Sequence, residues 1–76
     1  MNAQTSTVEE LLQFGTAIGL RALPQTEDGV ITFRSEARTT VIRVQVISPT
    51  KIFIDDDTGH HEIDSVIRAR NYIYAV

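Results

Sequence analysis

The chain has 76 residues, a net charge of −3 and no cysteine; a domain of this size buries only about 60% of the surface its unfolded chain exposes, and with neither a disulfide framework nor a thiolate metal site to widen that margin, packing or oligomerisation must hold it. The acidic balance argues against a general nucleic-acid binder, whose affinity comes from Lys and Arg neutralising phosphates. The opening residues MNAQTSTVEE lack the basic and apolar regions of a secretory signal, and no run is long enough to cross a bilayer, so we expect a single cytoplasmic domain over residues 1–76 with no membrane contact.

Residues 1–5 are polar and uncapped and are expected to fray. Ser6 and Thr7 each have a glutamate three residues on, Glu9 and Glu10, which is the capping-box spacing of a helix start. Val8, Leu11, Leu12, Phe14, Gly15 and Ile18 then fall within one arc at 100° per residue, leaving Glu9, Glu10, Gln13 and Thr16 outside it. Gly19 ends this amphipathic helix as a left-handed residue after the last turn. Gly15 and Gly19 also have small-xxx-small spacing, but the simpler reading is that Gly15 lets the helix settle onto a sheet.

Arg21 to Pro24 reads as an extended connection, and Glu27-Asp28-Gly29 as a turn before a short strand, Val30 to Arg34, with Ile31 and Phe33 on one side. Ser35 to Arg38 turns the chain into its central feature, Thr40 to Asp55, where two runs of β-branched residues flank a Ser48-Pro49 break. Ile42, Val44, Val46, Ile52 and Ile54 share one face by strand alternation, with Arg43 and Gln45 on the other. The predicted fold class is α+β, an N-terminal amphipathic helix packed on a 4–5-stranded antiparallel sheet, either open and twisted or closed into a small barrel. The C-terminal part leaves two readings. Asp55 to Gly59 closes a tight hairpin with His60 to Ile63 returning as a strand, or Ile63, Val66 and Ile67 mark a short helix supported by Asp64 and Arg68 at i, i+4. Asn71 to Val76 reads as a strand in both.

DDDTGHHE, Asp55 to Glu62, is the one cluster that invites a metal. A calcium loop starting at Asp55 would need glycine at position six and glutamate at position twelve, where the chain has His60 and Val66. Adjacent His60 and His61 on a strand point to opposite faces and would not grip one zinc. A solvated acidic turn is the better reading. Phosphate-loop glycine patterns are absent, and Ser35, Ser48 and Ser65 lie in no nucleophile elbow. We therefore expect a non-enzyme with no cofactor, no metal and no small-molecule substrate.

The outer side of the strands carries the functional expectation. Val41, Ile47 and Phe53 emerge there beside Arg43 and Gln45, an apolar set that with Tyr72 and Tyr74 would either close into a small barrel or bind another polypeptide. Val41, Ile47, Phe53, Tyr72 and Tyr74 are the candidate partner-binding residues.

Leu11-Leu12-Gln13-Phe14-Gly15 with Ile18-Gly19-Leu20, then Glu27-Asp28-Gly29 and the meander from Val30 to Asp55, resembles the first half of the type III secretion chaperones that keep bacterial effectors ready for export. The resemblance covers residues 7 to about 55. It implies a chaperone-like or adaptor homodimer that holds a client segment on apolar helix and sheet surfaces. A second resemblance competes: the run from Lys51 to Ile67 is similar to the terminal hairpin of small SH3-like and Sm-like barrels, and implies a regulator that touches RNA or a nucleic-acid enzyme through Arg34, Arg38, Arg43, Lys51, Arg68 and Arg70. A small acidic inhibitor of another protein is a third reading.

Overall fold

The computed structural model describes residues 3–37 and 39–75. Its elements are helix α1 (Ala3–Ala17), strands β1 (Arg21–Ala22), β2 (Val30–Ser35), β3 (Thr40–Ser48), β4 (Lys51–Asp56) and β5 (Gly59–Ile63), and helix α2 (Val66–Ala75). The strands form one antiparallel sheet in the order β1-β2-β3-β4-β5. Short turns favour pairing between consecutive strands, and here chain order is spatial order throughout. The sheet is open. Of the two forms expected, the small barrel is therefore not what this chain makes.

One face of the sheet lies under both helices. Val44 stands opposite Ile54 and Val46 opposite Ile52, and these four with Ile42 and Phe33 are fully buried. They join Val8 and Leu11 of α1, Ala69 and Ile73 of α2, and Ile31 and Leu20 in a single core cluster. Leu12 and Ile18, also expected in the core, pack against it while half-buried. The close approach of α1 depends on Gly15, because a Cβ there would meet Phe33 at 2.5 Å.

The end of α1 follows expectation in detail. Gly19 has φ +98°, its N–H bonds the Thr16 carbonyl at 3.2 Å, and the Leu20 N–H bonds the Gly15 carbonyl at 2.9 Å. This is a Schellman closure, and it satisfies carbonyls that the last turn would otherwise leave open.

Three expectations are corrected. Residues 3–5 are helical, and the helix starts before the proposed capping box. Thr7 lies inside it, donating its hydroxyl to the Ala3 carbonyl at 2.8 Å, and Gln4 anchors the first turn by donating to the Val46 carbonyl at 2.8 Å. Second, the hairpin and the helix are not alternatives, because the chain forms the β4–β5 hairpin and then a helix after it. Third, the segment read as a strand over 71–76 is helical over residues 71–75, the last residue lying outside the described ones. Val66, Ala69 and Ile73 are spaced i, i+3, i+7, and burying that stripe outweighs the strand propensity of Tyr72, Ile73 and Tyr74. Ser65 caps the helix, its Oγ accepting the Arg68 N–H at 3.2 Å.

Candidate functional site

The face of the sheet away from the helices is built from the alternate residues of the same strands. Register places Thr32 beside Arg43, Arg34 beside Val41, Gln45 beside Phe53, Arg43 beside Asp55, Phe53 beside Glu62 and Asp55 beside His60. Among the described residues no helix covers it, because α1 and α2 both belong to the core cluster on the opposite side. Val41 is 50% exposed and Ile47 45%. Ile47 sits where the β3–β4 register shifts between Val46 and Ser48, a bulge that turns the strand end outward.

Phe53 is less available than alternation alone suggests. The His60 ring stacks on it with centroids 5.1 Å apart, and the Lys51 ammonium lies 5.7 Å from its centre. His60 is in turn held by Asp55, 2.5 Å from its Nδ1. Arg43 spans Glu27 at 3.9 Å and Asp55 at 3.7 Å, and Arg21 reaches Glu36 at 3.6 Å. Around Phe53, Arg43, Asp55 and His60 thus compensate one another.

The five candidate residues do not converge. Val41, Ile47 and Phe53 belong to the outer face, whereas Tyr72 and Tyr74 stand on α2, in the helix layer. Tyr74 is 71% exposed and, with Ile67 at 70%, faces away from the core; the two lie seven residues apart on one side of the helix. Tyr72 turns the other way, toward the β4–β5 turn. The six cations of the nucleic-acid reading are also divided. Arg34, Arg43 and Lys51 are on the outer face, Arg68 pairs with Asp64 at 3.4 Å, Arg70 lies 4.7 Å over the Phe14 ring, and Arg38 is outside the described residues.

Tyr72 belongs to a hydrogen-bond network whose sequence signal, Asp56-x-Thr58 followed by His61, went unread. Asp56 has a side chain only 4% exposed. It accepts from the Thr58 N–H at 2.9 Å and the Thr58 hydroxyl at 2.6 Å, and from the Tyr72 hydroxyl at 2.5 Å. Since the single Thr58 hydroxyl proton goes to Asp56, the 2.9 Å contact between that oxygen and His61 Nε2 requires His61 to donate. Burial works to raise the Asp56 pKa, but the bonds from Thr58 and Tyr72 and the nearby His61 outweigh it and hold the carboxyl below its ordinary value. Burial, then the bond to Asp56, pushes the Tyr72 phenol above its ordinary value. The two groups are driven apart from neutrality, the reverse of a general acid and base poised for turnover near pH 7. What the network does is tie α2 to the hairpin turn.

His60 and His61 lie on opposite faces of β5, as alternation predicts, and among the described residues no group of three or more acids and histidines could hold a metal ion. One groove, about 590 Å³, runs between the β3–β4 turn and the end of β5, and is lined by Ser48, Thr50, Lys51, Glu62, Ile63, Asp64 and Arg68. A second, about 480 Å³, lies between α1 and the β1–β2 connection, with Val8 and Leu12 among polar residues. Both have walls that are about half polar, whereas clefts that enclose small ligands are mostly apolar. Among the described residues no helix is long and apolar enough to cross a membrane. No family model, curated protein or solved structure matches the chain.

Proposed function

We propose that this chain is a non-enzymatic protein-binding module, chaperone-like or adaptor-like, that holds a partner polypeptide against the outer face of its sheet. The observation that carries the reading is the pair Val41 and Ile47, half exposed on the central strand of a face that no helix covers. Apolar surface in water costs about 25 cal/mol per Å², and the surrounding Arg43–Glu27 and Arg43–Asp55 pairs would form a polar rim of the kind that borders protein interfaces. The resemblance of residues 7 to 55 to secretion chaperones supports the same class of partner. Arg21 and Arg43 are paired with carboxylates, so those two cations would release few counterions to a nucleic acid.

The test is capture of the partner from the native host with the parent chain and with a Val41→Asp/Ile47→Asp double variant, alongside thermal melts of both. The expected outcome is a captured protein that the double variant loses by tenfold or more while melting like the parent, with little change in capture as salt rises. Retention of the partner by a folded double variant would remove this face from the function. Capture that collapses steeply with salt would instead indicate a nucleic-acid bridge.

A further inference from the structure

The two edges of the sheet are not alike. β1 is two residues long, its pairing extends only to the Leu23 N–H on the Thr32 carbonyl, and Pro24 follows, so this edge is blunt. β5 runs five residues, GHHEI, with no proline, lysine or bulge, and its register with β4 is unbroken. Proline, lysine and bulges are among the devices by which natural sheets guard an edge, and Glu62 is the one charge β5 carries at neutral pH unless its histidines are protonated. Among the described residues no backbone or side-chain group other than those of β4 bonds to the β5 backbone.

The turn between β4 and β5 contains only Asp57 and Thr58, so Asp56 and Gly59 close it as a hydrogen-bonded pair and bonded and non-bonded pairs alternate from there. His61 and Ile63 then bond to β4. His60 and Glu62 present their N–H and C=O groups to the open edge.

We propose that β5 pairs antiparallel with β5 of a second copy of this chain, about a twofold axis through His61. This concerns a different surface from the client face and does not depend on it. In that register His60 stands opposite Glu62 of the second copy and Glu62 opposite its His60, and each pair exchanges both backbone bonds, because these are the residues whose backbone groups point outward. The side chains agree. His60 and Glu62 lie on the outer face with their β4 neighbours Asp55 and Phe53, so each imidazole meets a carboxylate across the new strand pair. Glu62 has no hydrogen bond or ion pair of its own among the described residues. A segment whose donors and charges answer one another when it is reversed on itself fits a second copy, and the contact is isologous and closed. It would join the two outer faces into one continuous surface.

The experiment is sedimentation of the purified chain up to about 1 mM, a range that reaches weak association, with two variants. Glu62→Pro removes an outward N–H while leaving the β4 bonds in place, and should weaken the dimer on the order of 10- to 100-fold, as expected for one bond lost from each half. His61→Cys places a lone thiol at a non-bonded pair on the axis, where Cα atoms lie about 4.5 Å apart, within disulfide range. It should cross-link under oxidation, whereas Val41→Cys on β3 should not. A parent chain that stays monomeric throughout overturns the proposal. So does a dimer in which His61→Cys cross-links no better than Val41→Cys, a readout that decides the matter even if Glu62→Pro fails to fold.

Discussion

The inner and outer faces of this sheet are made by the same strands, yet they have opposite physical characters. On the inner face Ile42, Val44, Val46, Ile52 and Ile54 are all fully buried. One residue along in each case, the chain places Val41, half exposed, and Arg43, Gln45, Phe53 and Asp55, each of intermediate exposure. Strand alternation alone separates them. The lesson is that one sheet can put its core on one face and leave the other face free of that task, provided substitutions on the two faces act independently.

The largest expected effect lies where the two layers touch. Phe33 is fully buried and directly under Gly15. Phe33→Ala should cost about 3–5 kcal/mol, much of the stability such a small domain has, and urea denaturation measures it. Val44→Thr adds no volume but buries a hydroxyl among aliphatic groups, at a cost of about 1–3 kcal/mol. If both variants unfolded at the parent's midpoint, the inner face would not be the core.

A smaller effect tests how α2 is held to that core. Tyr72→Phe removes the hydroxyl that donates to Asp56, and should lower stability at pH 7 by about 1–2 kcal/mol. The folded-state pKa of Asp56 lies below its unfolded value, so its contribution is fully present above the unfolded pKa, about 3.9, and is lost as pH falls through the folded value. The gap between Tyr72→Phe and parent should therefore narrow when unfolding is repeated in acid. A gap that widened would mean that Asp56 is not the acceptor that matters.

How much of this could be read from the residues follows from the range of the interactions. The β3–β4 hairpin and the closure of α1 at Gly19 were legible because alternation and a glycine left-handed turn are local. The fate of 71–75 was not, since Tyr72, Ile73 and Tyr74 alternate as a strand would, and only the tertiary burial of Ala69 and Ile73 makes the helical stripe count. The candidate site divides in the same way. Alternation puts Val41, Ile47 and Phe53 on one face of the sheet, but the shielding of Phe53 by His60 depends on the β4–β5 pairing, and Tyr72 lies in the helix layer because its segment is helical.

The smallest expected effect makes the sharpest comparison. Val41 and Val44 lie three residues apart on β3, one half exposed and the other fully buried. Val41→Thr, the same chemical change as Val44→Thr, puts its hydroxyl in water at little cost, and threonine keeps the β-branched shape that strands favour. Its stability should stay within about 0.5 kcal/mol of the parent. Ile47→Thr should behave likewise, the bulge relieving it of any close partner across the ladder. Matched unfolding curves for Val41→Thr and Val44→Thr then measure the asymmetry of the sheet by one atom-for-atom substitution. Equal losses at the two positions would mean that Val41 is covered in the isolated chain, leaving no apolar surface there for a partner to take.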